Sequence, residues 1–339
     1  MILRLMTESE ADKWDNFVNT VKYSTALQYY NWAKIKSTQG WSAVYASLED
    51  DGSMVGCSLI LYKRIPFMGS YLGFCPFGPI LAEEYINELP LFLNLLSEEM
   101  DKMGIALLKI HPYRMDIPSV DGLKIKRSKK LLYKETYVTP LDISEEVLYS
   151  RLHKKLRNDI KRAEKLGTEI VTDESLAGLE KFYELHKETF DRTDYHTQPF
   201  GMFEQLHKYF ISTGKATIRF AMAEGKPISA AIFLKTDNTY LYMWGASTSD
   251  KNYDHYCGQK YLLWKSFLDA KRKGIKYFDL GGVTVNAKAG SKSEGIHTFK
   301  KRFGGDKIEM QGTLDIHISK FKAPLIAAVF AIYRKFVGL

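Results

Sequence analysis

Apolar and polar positions along this chain switch between the period of helices and the period of strands. Residues 8–20 and 26–37 have the spacing of short helices. Two strand-like runs follow, joined at Asp50-Asp51-Gly52, which is a hairpin signal. YLGFCPFGPIL is predicted to be irregular because it is rich in Gly and Pro. A helix, LPLFLNLLSEEMDKMG, then leads into a strand, IALLKIHP.

The second half of the chain repeats this order. Strands are predicted around Glu224-Gly225-Lys226, and a helix, GQKYLLWKSFLDAKRKG, leads into a strand, IKYFDLGG. MDKMGIALLKIHP and AKRKGIKYFDLGG occupy equivalent places, which indicates two copies of one unit. We therefore expect an α+β fold of two mixed sheets flanked by helices. The expected divisions are 1–145, 146–315 and a C-terminal amphipathic helix, 316–339.

Residues 148–167 predict one helix with an apolar stripe and a basic face. The residues of the stripe recur at intervals of three or four positions: Leu148, Leu152, Leu156, Ile160 and Ala163. The opposite arc carries most of the cations: Lys154, Lys155, Arg157, Lys161 and Arg162. A solvated charged face is one explanation, but the single sign of the charge favours an anionic ligand.

Composition narrows the function classes. The chain of 339 residues is 45% hydrophobic and 26% charged, which is ordinary for a globular protein. Its net charge of +8 points weakly to an anionic partner. Its three scattered cysteines predict no disulfide framework or CxxC site, and they suit a reducing cytoplasm. There is no GxSxG, HExxH, Walker A or GxGxxG motif, so neither zinc chemistry nor nucleotide hydrolysis is supported. We expect no metal site.

The longest apolar run, APLIAAVFAIY, lies near the C-terminus between basic residues. Eleven residues are too few to cross a bilayer, which needs about 20 in a helix. The segment either docks on its own domain or lies on an anionic membrane surface. We expect a cytoplasmic protein with possible peripheral contact with the inner leaflet.

Three other stretches are candidates for chemistry. In YYNWAKIK, Lys34 and Lys36 alternate with aromatic residues, which suits either core packing or phosphate binding. Gly258, after Tyr256, opens a helix whose N-terminus could hold a pyrophosphate or a carboxyl-derived oxygen, unless it only makes a turn. The loop at 279–305 carries Lys300, Lys301 and Arg302 where a strand ends, a place where substrates are often bound.

Five stretches together resemble the Fem family (FemABX), the peptidyltransferases that build the interpeptide bridge of bacterial peptidoglycan. They are LQYYNWAKIKSTQGW, YLGFCPFGPIL, LHKKLRNDIKRAEKLGTEI, YFDLGG and GIHTFKKRFGG, in family order over residues 26–305. The resemblance implies two tandem GNAT-like (acyl-CoA N-acyltransferase-like) domains. It also implies aminoacyl-tRNA as donor and UDP-MurNAc-pentapeptide or lipid II as acceptor. Without a heptad insertion, the chain resembles the compact type that has no coiled-coil arm.

The resemblance also implies roles for particular residues. Lys34 or Lys36 matches the lysine that contacts the precursor's phosphates, and Lys300 matches the lysine at the aminoacyl end of the donor. His111 stands at a position that has been considered for the base. Gln198 in HTQPF replaces a phosphate-binding arginine, with Arg192 six residues upstream, and Phe77 stands where a basic residue is common.

The chemistry fits a chain that lacks a catalytic triad. An aminoacyl ester is already activated, so the enzyme need only hold ester and amine together, remove a proton and stabilise an oxyanion. A neutral His111 and a cationic Lys300 could do the last two, and the basic helix with Lys301 and Arg302 could bind tRNA phosphates. Two alternatives remain: an N-acyltransferase that uses acyl-CoA in an envelope or exopolysaccharide pathway, and a non-catalytic binding protein.

Overall fold

The computed structural model describes residues 1–128, 131–191 and 198–337. The α-helices are α1 Ala11–Thr20, α2 Trp32–Ser37, α3 Leu89–Lys102, α4 Glu145–Arg151, α5 Lys154–Lys165, α6 Leu176–Asp191, α7 Phe200–Leu206, α8 Gly258–Arg272, α9 Lys292–Lys301 and α10 Lys322–Val337. The strands are β1 Ile2–Leu5, β2 Ser42–Asp50, β3 Ser53–Ile65, β4 Ser70–Pro76, β5 Ile80–Leu81, β6 Ile105–His111, β7 Ile125–Arg127, β8 Glu135–Pro140, β9 Glu169–Thr172, β10 Ala216–Ala223, β11 Lys226–Lys235, β12 Thr239–Ser247, β13 Tyr277–Val283, β14 Asp306–Glu309 and β15 Leu314–His317. Shorter 3-10 or π turns lie at Glu8–Glu10, Ala26–Gln28, Glu83–Glu88, His207–Ile211 and Lys251–Tyr256.

The chain forms two compact units. Unit 1 comprises Met1–Lys134 and Glu309–Leu339, and unit 2 comprises Glu135–Ile308. These limits differ from the expected 1–145, 146–315 and 316–339. The difference arises because β8 pairs with β13 in the second sheet, whereas β15 pairs with β6 and β7 in the first.

The sheet of unit 1 has the strand order β1-β2-β3-β4-β6-β15-β7, with β5 beside β3. Only β4 and β6 pair in parallel, because α3 carries the chain back between them. The apolar face of α3, which includes Phe92, Leu93 and Leu96, is fully buried in the core on this sheet.

The sheet of unit 2 has the order β14-β8-β13-β12-β11-β10-β9. Here β12 and β13 pair in parallel, and α8 connects them. Phe267 of α8 stacks on Phe278 of β13 with ring centroids 3.9 Å apart, which anchors the helix to the sheet. Each unit is therefore an antiparallel meander, a helical crossover and a parallel strand, and the predicted duplication is confirmed.

Three predictions about single elements are wrong. YLGFCPFGPIL is not irregular, since it contains β4 and β5. Its Gly73 serves packing rather than a turn, because a Cβ there would lie 3.0 Å from the side chain of Leu108. The segment at 26–37 is also not one helix, because α2 begins only at Trp32.

The basic segment at 148–167 is not one helix either, because it breaks between α4 and α5. Leu152 adopts an extended conformation, and the Nδ1 atom of His153 accepts a hydrogen bond from the backbone N–H of Lys155 at 3.2 Å. This cap starts a new helix. The apolar stripe is nevertheless continuous across the break, since all five of its residues are buried.

Within residues 1–128, 131–191 and 198–337, no helix is both long and apolar enough to cross a membrane. The C-terminal helix predicted from the sequence is α10, and one face of it packs on the sheet of unit 1.

Candidate active site

In unit 2 the parallel strands β12 and β13 separate after a short stretch of pairing. β12 and β13 pair over only three positions and their register ends at Leu241 and Asp279, although β12 continues to Ser247. The equivalent pair in unit 1, β4 and β6, stays together over six positions, as far as Pro76 and His111. Unit 2 therefore has a seam that opens at the carboxyl end of its parallel strands, where ligands of α/β sheets usually bind.

A bulge in β13 shapes this opening. The pairing of β13 with β8 shifts between Asp279 and Gly282. Gly281 lies inside the bulge with φ +69°, and a Cβ there would approach the carbonyl oxygen of Tyr242 to 2.8 Å. Only glycine fits this conformation and this contact. Bulges of this kind often redirect groups beside active sites.

Lys300 of α9 places its amine at the bulge. Its Nζ donates a hydrogen bond to the carbonyl oxygen of Gly282 at 3.0 Å and lies 5.5 Å from the ring centroid of Tyr242. The side chain is 9% exposed. Burial lowers the pKa of Lys300 to about 8, and the nearby Asp279 carboxylate opposes that shift.

Asp279, whose charge acts on the Lys300 amine, is fully buried and is fixed by its neighbours. Its Oδ1 accepts a hydrogen bond from the backbone N–H of Gly281 at 2.7 Å and one from the hydroxyl of Thr136. The carboxylate thus holds the bulge in shape while supplying negative charge near Lys300. A fixed buried carboxylate of this kind stabilises a cation that would otherwise lose its proton.

A chain of polar contacts links Lys300 to the start of α8. The ring of Tyr242 lies beside the amine, and its hydroxyl accepts a hydrogen bond from Nε2 of Gln259 at 2.9 Å. The neighbouring Gly258 packs so closely on β11 that a Cβ would lie 2.7 Å from Oγ of Ser229. Among the described residues, neither Oγ of Ser229 nor Oε1 of Gln259 has a hydrogen-bond partner, although both are buried. Buried polar atoms of this kind are available to a ligand.

Sequence reasoning identified Lys300 and Gly258 but missed Tyr242, Gln259 and Asp279. The pair Asp279 and Gly281 in DLGG carried a usable signal, because a glycine inside a strand often marks a bulge. Tyr242 carries no such signal in the sequence, and only its contacts in the folded unit distinguish it.

His111 lies in the core of unit 1. It is fully buried, with Nδ1 2.8 Å from the hydroxyl of Thr313 and Nε2 3.1 Å from the carbonyl oxygen of Tyr133. The ring of Phe77 packs edge-on against it at 5.2 Å. Burial lowers the pKa of His111 to about 4. The imidazole is therefore neutral at physiological pH, but both nitrogens are engaged, as in a structural histidine.

Lys34 and Lys36 point to different sides of α2, since residues two apart do not face each other on a helix. Lys34 forms an ion pair with Glu8. Lys36 is half-buried, with Nζ 3.2 Å from Oε1 of Gln39 and 5.3 Å from the ring centroid of Trp32. Burial lowers the pKa of Lys36 to about 8, and within the described ranges it forms no salt bridge. A bound anion would offset the unfavourable burial of the Lys36 charge. Lys36 is therefore a better candidate than Lys34 for binding phosphate.

Two other candidate ligands, Tyr256 and Gln198, have hydrogen-bond contacts away from the seam. The hydroxyl of Tyr256 donates a hydrogen bond to Glu224 at 2.7 Å. Gln198 is half-buried, and its backbone carbonyl accepts a hydrogen bond from the hydroxyl of Tyr183. Arg192 lies outside the described residues.

The basic face of α5 is open to solvent. Lys154, Lys155, Lys161 and Arg162 are exposed, whereas Arg157 is half-buried and donates a hydrogen bond to the carbonyl oxygen of Ser150. The start of α5 adjoins the end of α9, because the backbone N–H of His153 donates to the carbonyl oxygen of Arg302 at 2.9 Å. The exposed Lys301 and the half-buried Arg302 therefore lie near the basic face.

Two family models match this chain. The FemAB family model matches residues 9–135, and a model described as an acetyltransferase (GNAT) domain matches residues 150–301. The second match contains β12, α8, β13 and Lys300. These matches support the predicted resemblance of this chain to the FemAB family.

Relatives and solved structures agree with this resemblance. A lipid II:glycine glycyltransferase of Staphylococcus haemolyticus (strain JCSC1435) is 22% identical over an alignment that covers 96% of this chain and 97% of that protein. The alignment runs over 414 positions, more than the 339 residues of this chain, so the relative has sequence that this chain lacks.

Among solved structures, FemX has a TM-score of 0.85 at 19% identity and covers 96% of this chain and 100% of its own. The C-terminal domain of a putative lysylphosphatidylglycerol synthetase from Agrobacterium fabrum has a TM-score of 0.60 at 13% identity, with 95% and 97% covered. At these identities the likeness is one of fold. The expected tandem GNAT-like fold is confirmed, and the match to an acetyltransferase (GNAT) domain supports the prediction of an acyltransferase enzyme rather than a non-catalytic binding protein.

Proposed function

We propose that this protein transfers an amino acid from aminoacyl-tRNA to the side-chain amine of a peptidoglycan precursor peptide, in cell-wall cross-bridge synthesis. One observation carries the proposal: the buried amine of Lys300 lies where the β12–β13 seam of a GNAT-like sheet opens. The glycyltransferase relative is named for lipid II, which favours a lipid-linked precursor over the UDP-linked form.

In the proposed reaction the acceptor nitrogen attacks the ester carbonyl of the donor. A C–N bond forms, the C–O bond to the tRNA ribose breaks, and the proton lost by the amine balances the one gained by the ribose oxygen. The ammonium group of Lys300 stabilises the negative oxygen of the tetrahedral intermediate. Because the ester is already activated, the step requires no cofactor. His111 has no part in the proposed step, since both of its nitrogens are engaged.

Separate surfaces would bind the two anionic substrates. The exposed cations of α5, together with Lys301 and Arg302, suit the tRNA backbone, because lysine contacts to phosphates give affinity without sequence specificity. Lys36 suits the phosphates of the precursor, because its partly buried charge forms no salt bridge within the described ranges. Since aminoacyl-tRNA is a cytoplasmic molecule, the reaction would take place there.

The test is to incubate the purified protein with mixed aminoacyl-tRNA and the precursor, in lipid-linked and UDP-linked forms, and to measure the product mass. We expect the precursor to gain one amino-acid residue and Lys300→Met to abolish the gain. An unchanged precursor in both forms, with correctly folded protein, would overturn the proposal.

A second candidate is an N-acyltransferase that uses acyl-CoA. The matched GNAT domain includes the α8 N-terminus at Gly258, and a helix N-terminus of this kind can bind a pyrophosphate. Thermal-shift measurements with acetyl-CoA and with a stable aminoacyl-tRNA analogue distinguish the two donors. A shift with acetyl-CoA alone would favour this second function.

A further inference from the structure

Helix α10 is apolar on two opposite faces. Ala323 and Ile326 are fully buried against Leu72 and Leu107 of the unit 1 sheet. The other face points to solvent, although it carries large apolar side chains: Phe321 just before the helix is 87% exposed, Leu325 59% and Val329 47%. These three recur every fourth residue and so form one stripe.

A second apolar element is anchored on the same cluster as α10. The turn between β3 and β4 presents Phe67 with its ring completely exposed. Its neighbours Ile65 and Met68 pack against the same cluster that receives Ala323 and Ile326. The turn and the segment that contains the helix therefore share one anchoring cluster, and each carries an exposed aromatic ring.

The rim of this surface is basic. Lys63 and Arg64 are exposed on the approach to the turn, and Lys320 and Lys322 are exposed at the start of α10. Residues 63–69 and 320–331 contain no acidic residue. Exposed apolar groups next to cations are the pattern of segments that rest in the interface of an anionic bilayer.

We propose that this surface docks on an anionic membrane. It is defined by Phe67, Phe321, Leu325 and Val329 with the rim Lys63, Arg64, Lys320 and Lys322, and we call it the docking patch. The apolar side chains enter the interface and the lysines and arginine contact lipid phosphates. A second copy of the chain is a poorer occupant, because a twofold contact would bring two basic rims together. This inference does not rest on the proposed reaction.

The test uses the full-length protein and two kinds of vesicle, phosphatidylcholine alone and phosphatidylcholine mixed with phosphatidylglycerol. We expect co-sedimentation with the mixed vesicles only, weakened by salt. Phe67→Ser and Leu325→Gln should each lower the bound fraction several-fold without changing the unfolding temperature, since both side chains are exposed. Leu176→Gln is the matched control, because Leu176 of α6 is 57% exposed outside the patch.

Three results would overturn the proposal. One is no binding to the mixed vesicles. Another is equal loss of binding in the Leu176→Gln control. The third is a concentration-dependent dimer in solution that Leu325→Gln abolishes, since the patch would then be an interface between copies. A Phe67→Trp variant adds a direct readout, because its fluorescence should shift to the blue only with the anionic vesicles.

Discussion

The buried position of Lys300 makes its protonated, charged form less favourable than in water. A buried amine whose pKa is about 8 remains mostly protonated at neutral pH but loses its proton just above it. We therefore expect kcat/KM to fall above about pH 8, since the neutral amine cannot stabilise an oxyanion.

Lys300→Met should lower kcat by about 100-fold or more, in the range seen when an oxyanion donor is removed. Lys300→Arg, which stays charged, should retain some activity and lose the alkaline fall. An unchanged alkaline limb in Lys300→Arg would exclude Lys300 as its source.

The same charge predicts a pH dependence of stability. The pKa of Lys300 is lower in the folded than in the unfolded state, so the unfolded chain binds more protons between about pH 8 and 10 and folding becomes more favourable as pH rises. Relative to Lys300→Met, the wild type should gain about 2 kcal/mol in the free energy of unfolding between pH 7 and 10. Urea unfolding at both pH values measures this difference. A constant difference would show that the amine is not desolvated.

A substitution of His111 can distinguish a structural role of this histidine from a catalytic one. His111→Gln keeps a polar side chain but removes the imidazole from its fitted site between Thr313 and Tyr133. We expect a loss of about 2 kcal/mol in stability, the usual cost of disturbing buried hydrogen bonds, with kcat of the folded enzyme changed less than threefold. If His111 were the general base, kcat would fall by about 100-fold or more. Single-turnover kinetics at a temperature where the variant is fully folded distinguish these results.

Lys36 and Lys34 provide a matched pair in one helix. If Lys36 binds precursor phosphates, Lys36→Met should raise KM for the precursor about tenfold and leave kcat nearly unchanged, because phosphate binding is the same in ground and transition states. Lys34→Met removes an exposed ion pair with Glu8 and should change KM less than twofold. Equal effects of the two substitutions would refute the assignment.

At the scale of secondary-structure elements, substitutions on the basic face of α5 test whether this helix binds the proposed tRNA donor. Lys154, Lys155 and Lys161 are exposed and can be changed together to Ala without touching the buried stripe. The variant should bind tRNA more weakly at low salt, with the slope of log K against log salt reduced by about 2. A control with the same charge change alters Lys124, Lys126 and Arg127, exposed on and beside β7 of unit 1. Equal losses in both would mean that net charge alone governs binding.

The sequence pattern predicted elements better than it predicted their ends. The leucine stripe of 148–167 fixed which face is buried, but it could not locate the break, because Leu152 remains in the stripe while its backbone turns extended. That break depends on the cap by His153 and on its backbone contact with Arg302, about 150 residues away. Local periodicity cannot report such a contact.

The site shows the same limit. Lys300 was identified as one cation in a flexible loop, whereas it lies on a helix and its low pKa comes from burial at a bulge in another element. Asp279 and Tyr242 became candidates only when the pairing of β12 and β13 was seen to end beside them. The sequence shows which residue types are present. It does not show that β12 and β13 separate after three paired positions, whereas β4 and β6 stay paired over six.

For the whole molecule, the chain path matters more than the expected domain order. The chain leaves unit 1 at Lys134, forms unit 2 and returns at Glu309 to insert β15 between β6 and β7. The returning Asp315 pairs with the buried Lys109 at 2.6 Å. Unit 1 is therefore completed by the last residues of the chain, whereas unit 2 is continuous in sequence.

This path predicts unequal effects of two truncations. Ending the chain after Lys320 removes α10 only, so unit 1 should keep its sheet and unfold at a lower temperature, since Leu72 and Leu107 lose their cover. Ending it after Gly312 also removes β15 and leaves Lys109 buried without its carboxylate, which typically costs about 3–5 kcal/mol. That loss, with the missing strand, is comparable to the whole stability of a domain, so unit 1 should unfold. Limited proteolysis with mass analysis should then leave a resistant fragment close to 135–308. If both truncated proteins protected unit 1 equally, β15 would not be the strand that completes it.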